Sequence, residues 1–170
     1  MGLIDLELGE TSKAKEKFQL ITSIDQNNYE AFYYLAYIFY KEEFYEQSLL
    51  QALKSLEIYP QKIETYMLVA ENYMHLNNKE ECFKTYESGE KNSKANYYFL
   101  ISWGISLQHF NYYEESKRRF QKSIDINPNN DLGVAYLGIS FYKLKDYDNA
   151  MDLFKKTLGL ILKTLLPWII

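Results

Sequence analysis

The chain repeats itself every 34 residues. Gly2, Ala36, Ala70, Gly104 and Gly138 stand 34 apart, and so do Ala14, Ser48, Cys82, Ser116 and Ala150. Both columns are small in every copy, although Gly, Ala, Ser and Cys supply only 27 of the 170 residues. A fixed period of this length marks supersecondary units that stack because none can bury its apolar face alone.

Bulky apolar residues keep the same register. Leu35, Val69, Trp103 and Leu137 precede the first small column by one, and Phe39, Tyr73, Leu107 and Phe141 follow it by three. Phe18, Ala52, Tyr86, Phe120 and Phe154 follow the second small column by four. Spacings of three and four lie on one stripe of an α-helix, so each repeat predicts two amphipathic helices. The small columns mark where helices cross, because a larger side chain there would hold the backbones apart. With 7 Gly and 3 Pro, the chain is also too poor in turn residues for a fold of many tight turns. The reading is all-α, built from helical hairpins.

The copy Val134-Ala-Tyr-Leu-Gly-Ile-Ser-Phe-Tyr-Lys-Leu-Lys-Asp-Tyr-Asp-Asn-Ala-Met-Asp-Leu-Phe resembles the tetratricopeptide repeat family. That family's pattern runs Trp-x2-Leu-Gly-x2-Tyr, then Ala-x3-Phe, then Pro. Tyr45, Tyr113 and Tyr147 open the second helices, Pro60 and Pro128 close repeats, and Asn127-Pro-Asn-Asn reads as an inter-repeat turn. The resemblance implies a right-handed α-solenoid of antiparallel helix pairs, running as a single array over 1–170. Its expected parts are a partial repeat at 1–28, repeats at 29–62, 63–96, 97–130 and 131–164, and an apolar extension at 165–170.

Two places depart from the pattern. In the third repeat Glu90 and Asn92 stand where neighbours carry Leu56 and Ile58 or Ile124 and Ile126, and Lys94 replaces Pro. Each lost aliphatic forfeits about 1.5–3 kcal/mol of burial, so 87–96 reads either as the most mobile joint or as a longer polar loop of no consequence. The last repeat continues as an apolar run from Leu158 to Ile170. Two readings stay open: a longer helix packed on the stack and stopped by Pro167, or a patch of Leu165, Leu166, Trp168, Ile169 and Ile170. Such a patch would serve a homodimer or a continuation of the array.

In solenoids of this kind the first helix of each hairpin lines the concave side. The family's groove positions fall on Tyr33, Tyr37 and Tyr40 in one repeat and on Glu64, Met67, Glu71 and Met74 in the next. Two further repeats supply Tyr98, Ile101 and Ile105, then Ile139 and Tyr142. Relatives that clamp a C-terminal carboxylate carry Lys, Asn and Arg there, because a buried anion needs cationic and amide donors. Tyr, Met, Glu and Ile instead predict a protein or peptide ligand with apolar or aromatic side chains, with Glu30, Glu64 and Glu71 favouring a nearby Lys or Arg. The competing reading packs these groups against one another.

A net charge of -4 without a basic stripe gives no reason to expect nucleic acid. The acidic start is not a secretory leader, and the C-terminal run is broken by Lys163 and Pro167, short of the roughly 20 residues of a spanning helix. A cytoplasmic location is expected, and the lone Cys82 reads as a buried spacer. His75, His109 and Glu71 lack a ligand motif, so no metal is expected. No cofactor and no catalytic role are expected, since no phosphate loop, nucleophile elbow or His-Glu-x-x-His occurs.

Overall fold

The computed structural model describes residues 2–165. Among them are ten α-helices and no strand: α1 (Gly2–Glu7), α2 (Thr11–Ile24), α3 (Tyr29–Lys41), α4 (Tyr45–Ile58), α5 (Ile63–His75), α6 (Lys79–Asn92), α7 (Tyr97–His109), α8 (Tyr113–Ile126), α9 (Asp131–Lys143) and α10 (Tyr147–Leu165). The chain divides into two compact units, Met1–Lys94 and Ala95–Ile170. The first holds three hairpins, α1/α2, α3/α4 and α5/α6; the second holds α7/α8 and α9/α10.

Within each unit the hairpins stack as an α-solenoid does. The second helix of one hairpin packs on the first helix of the next, α2 on α3 and α4 on α5 in the first unit, α8 on α9 in the second. First helices also lie beside one another, α3 against α5 and α7 against α9. Three of these ten helices begin at an asparagine cap: the side chains of Asn28, Asn78 and Asn96 accept from the backbone N–H groups of Ala31, Glu81 and Phe99.

The small columns sit at the crossings. Ala36, Ala70, Ala14, Ser48, Cys82 and Ser116 have no exposed surface. A methyl built on Gly2 would lie 2.8 Å from Phe18 Cζ, and one on Gly138 would lie 2.7 Å from Phe154 Cε1. Where the aromatic column carries Ala52 in place of a ring, the first small column carries Ala36, and the two share a core with Leu68 and Val69.

Each hairpin turns by the same device. Gly9, Glu43, Asn77, Asn111 and Lys145, again 34 apart, all have φ between 56° and 75°. The residue after each donates its N–H to the carbonyl five positions back, as in Phe44 to Phe39 at 2.9 Å and Tyr112 to Leu107 at 2.8 Å. That is the Schellman closure of a helix C-terminus.

Polar groups hold the third repeat where aliphatics are missing. α6 runs to Asn92, whose Nδ2 donates to Tyr66 Oη at 2.9 Å, and Tyr66 donates onward to the Pro60 carbonyl at 3.0 Å. Ser93 Oγ donates to the Gln61 carbonyl at 2.9 Å. The boundary between the two units falls just beyond, at Lys94 and Ala95.

Candidate functional site

In the first unit, α3 and α5 run side by side and leave a cleft of about 160 Å³ between them. Tyr33, Tyr37 and Tyr40 line it from α3; Glu64, Met67, Leu68 and Glu71 line it from α5. The spacings four and three on α3, and three and four on α5, are one-face spacings, so each helix presents a continuous stripe to the cleft. Six of these seven residues are sequence candidates. Leu68, the seventh, is not among the sequence candidates and is almost fully buried.

The cleft is aromatic on one wall and anionic on the other. Burial, then the charge of Glu64, pushes the Tyr33 phenol up to about 12. Burial, then the charge of Glu71 and a hydrogen bond to it, raises Tyr40 as well. Both phenols therefore keep their protons at neutral pH and act as donors. Tyr40 Oη also lies 3.3 Å from His75 Nε2, and the imidazole stacks on Tyr45 with ring centres 4.3 Å apart and planes 3° from parallel.

One cation already uses the aromatic wall. Lys62 Nζ lies 3.9 Å from the centre of the Tyr33 ring and 5.5 Å from those of Tyr29 and Tyr34. Burial lowers its pKa, while Glu64 and Glu30 oppose that shift. The ring face attracts an ammonium, and the two carboxylates add to the attraction.

The remaining candidates are placed differently. Met74, on α5, is almost fully buried. In the second unit Ile101 is 3% exposed and packs with Phe120, Ile124, Val134 and Leu137, and Ile105 lies against the same cluster. Ile139 is half-buried, whereas Tyr98 and Tyr142 are exposed, at the start of α7 and near the end of α9. Among the described residues no group of three or more His, Cys, Asp or Glu side chains is placed to hold a metal ion. Cys82 is fully buried, in the small column. No helix among the described residues is long and apolar enough to cross a membrane.

Taken together, the helix order, the 34-residue register and the nested small columns define an α-solenoid repeat protein, a class whose members act as interaction scaffolds. The sequence pattern of the tetratricopeptide repeat matches residues 136–159. No curated protein matches the chain. Solved structures do: a crystal structure of MamA superposes with a TM-score of 0.83 at 15% identity, covering 96% of each chain. MamA 41-end from Desulfovibrio magneticus RS-1 gives 0.82 at 15% identity, over 95% of this chain and 92% of that one. YrrB, described as a TPR protein with an unusual peptide-binding site, gives 0.72 at 11% identity, over 94% and 82%. Residues 136–159 thus match one tetratricopeptide repeat, and over nearly its whole length the chain is similar in fold to MamA and YrrB.

Proposed function

We propose that this protein is a protein-interaction scaffold that grips an extended or helical peptide segment of a partner in the cleft between α3 and α5, without catalysis. The observation that carries the reading is the make-up of that cleft: three tyrosines facing Met67, Leu68, Glu64 and Glu71. Tyrosine offers wide, rigid contact area at small entropic cost, and methionine adapts to varied side chains. The protonated Tyr33 phenol supplies a donor for a peptide carbonyl, and Glu64 and Glu71 favour an Arg or Lys on the ligand. The chain's own Lys62, over Tyr33, models how such a cation meets the wall. The similarity to YrrB, described as carrying a peptide-binding site, supports the same reading. On the second unit Tyr98 and Tyr142 are the exposed candidates that remain for contact with a partner. A cytoplasmic location and the absence of nucleic acid among its partners belong to this proposal.

The test is selection of peptides on the whole chain, followed by fluorescence anisotropy. Tyr37→Ala removes a ring that is 40% exposed, so the melting temperature should hold while affinity drops about tenfold or more. Glu64→Gln with Glu71→Gln should weaken peptides containing Arg and leave their Ala versions unchanged. Selected peptides that bind all variants equally would remove the cleft from the account.

A further inference from the structure

We infer that Tyr29, Tyr33 and Tyr34 form a cage for a methylated ammonium group, that of a trimethylated lysine on the partner peptide, and that the chain's own Lys62 is its displaceable occupant. The inference rests on the peptide reading above for the source of the cation, and on the cage alone for its chemistry. Lys62 Nζ lies 3.9 Å from the centre of the Tyr33 ring and 5.5 Å from those of Tyr29 and Tyr34. The Tyr33 and Tyr34 rings stand at 73° to one another, so the ammonium faces walls set nearly at right angles. Further rings hold these walls: Tyr29 packs on Tyr59 with ring centres 4.7 Å apart, and Tyr34 stacks on Phe18 at 5.4 Å. A cage already in shape when its ligand arrives loses little entropy on binding.

The 34-residue register sets both the cage and its lysine apart. In the next repeat the three cage positions hold Ile63, Met67 and Leu68, and each later repeat keeps a single ring there, Tyr97 or Tyr136. Lys62 is likewise the exception in its own column, where the other copies hold Asn28, Asn96 and Asn130. Asn28 and Asn96 cap their helices by accepting from the N–H groups of Ala31 and Phe99, whereas α5 follows Lys62 without a side-chain cap. An asparagine cap stabilises a helix about as much as ring faces attract a half-exposed ammonium, so the exchange of one for the other brings the fold no net gain. A lysine matched to a cage found in one repeat alone points to binding.

Lys62 fits this cage imperfectly. Its Nζ forms no hydrogen bond or ion pair among the described residues, although burial, which lowers its pKa, removes water from it. Three N–H donors thus exchange water for ring faces, which compensate polar hydrogens only in part. A trimethylammonium has no donor to satisfy, spreads its charge over methyl groups and makes apolar contact with the same rings. Glu30 and Glu64 oppose the effect of burial on Lys62, and their charge favours a ligand cation in the same place without direct pairing. Displacement asks only the lysine side chain to swing away. The turn that carries it is tied down, Tyr66 donating to the Pro60 carbonyl and Ser93 to that of Gln61.

The test uses the whole chain and begins without peptide. Lys62→Asn empties the cage and installs the residue type found at 28, 96 and 130, so the melting temperature should hold or rise. Tetramethylammonium chloride is titrated at constant ionic strength against chain carrying isotope-labelled tyrosine. It should shift the resonances of Tyr29, Tyr33 and Tyr34 at about tenfold lower concentration in Lys62→Asn than in the wild type. Tyr33→Leu in the same background should abolish the response, and ammonium chloride should give none. Among peptides selected on the cleft, a trimethylated lysine should bind about tenfold tighter than plain lysine, and tighter still on Lys62→Asn. Equal responses of the wild type and Lys62→Asn to tetramethylammonium overturn the inference, as does a large fall in melting temperature, which would make Lys62 a structural strut. So does a preference for plain lysine, or choline binding as tightly as the trimethylated peptide, which would make a small quaternary amine the ligand. Loss of the tetramethylammonium response with peptide binding intact removes the cage alone; peptides indifferent to Tyr37→Ala and to the glutamate changes remove the cleft.

Discussion

Gly104 and Phe120 occupy one slot between α7 and α8: a methyl group built on Gly104 would lie 2.5 Å from Phe120 Cε1 and 2.6 Å from Cζ. The ring is fully buried and stacks on Tyr136 at 5.6 Å, so it has nowhere to withdraw. Gly104→Ala should therefore destabilise the chain by about 1–3 kcal/mol as overpacking. Phe120→Ala alone should cost about 3–5 kcal/mol as a cavity. The double variant recreates the natural Ala36/Ala52 pair, and should be more stable than the sum of the two losses predicts. Urea unfolding of the four chains measures the coupling; strict additivity would show that the slot is not shared.

The turn after α3 places Glu43 at φ 63°, and the turn after α9 places Lys145 at φ 65°. A side chain in the left-handed region costs about 1–2 kcal/mol, which glycine avoids at some expense in chain entropy. Glu43→Gly and Lys145→Gly should each raise stability by about 0.5–1 kcal/mol. Glu43→Val should lower it, because a β-branched residue fits that region least well. Thermal melts with the opposite order would contradict the argument.

The hairpin array is legible in the sequence because a crossing point leaves the same mark, a small residue, in every copy. The turn geometry is not legible. Of the five residues in the left-handed region only Gly9 shows the residue type that the conformation favours most, while Glu43 and Lys145 conceal it. The third repeat shows a second limit. Counting lost aliphatics points to a loose joint, but Asn92 is tied to Tyr66 and Ser93 to Gln61 by bonds spanning 26 and 32 residues, and one-dimensional spacing carries no sign of such partners. Repeat position likewise states which way a side chain faces. It gathers Tyr33, Tyr37, Tyr40, Glu64, Met67 and Glu71 around one cleft, but does not tell how far neighbours cover Met74 and Ile101. The apolar extension read from 165–170 lies, apart from Leu165, outside the described residues, and exposed apolar side chains on α10 begin earlier, at Met151.

Alkaline pH should expose the buried phenols. An unfolded tyrosine loses its proton near 10, whereas Tyr33 in the folded chain holds its proton to about 12. The folded state thus binds more protons between these values, and stability must fall as pH rises from about 10 to about 12; below 10 the contribution is fully present. Tyr40 is shifted in the same direction. Urea midpoints followed across this window should decline less steeply in Tyr33→Phe and Tyr40→Phe. An unchanged slope in both variants would mean that these phenols do not control the decline.

A buried polar crossing recurs in both units, with different tolerance to loss. In the first, Asn72 Nδ2 donates to Ser48 Oγ and to the Leu68 carbonyl, both at 2.8 Å, and all of these groups are shut from solvent. In the second, Ser140, the equivalent of Asn72, lies 2.8 Å from Ser116 Oγ, and also receives a bond from Gln108 Nε2 at 2.7 Å. Removing Ser116 leaves Ser140 with Gln108 and the Tyr136 carbonyl as partners. Removing Ser48 strands one of the two Asn72 amide protons inside the buried crossing. Ser48→Ala should cost about 1–3 kcal/mol, the penalty of an unsatisfied buried donor, and Ser116→Ala less than about 1 kcal/mol. Asn72→Ser in the Ser48→Ala background should recover part of the loss, since a hydroxyl can turn its single proton to the Leu68 carbonyl. Equal losses for the two serines in urea unfolding would show that the second unit's network offers no reserve.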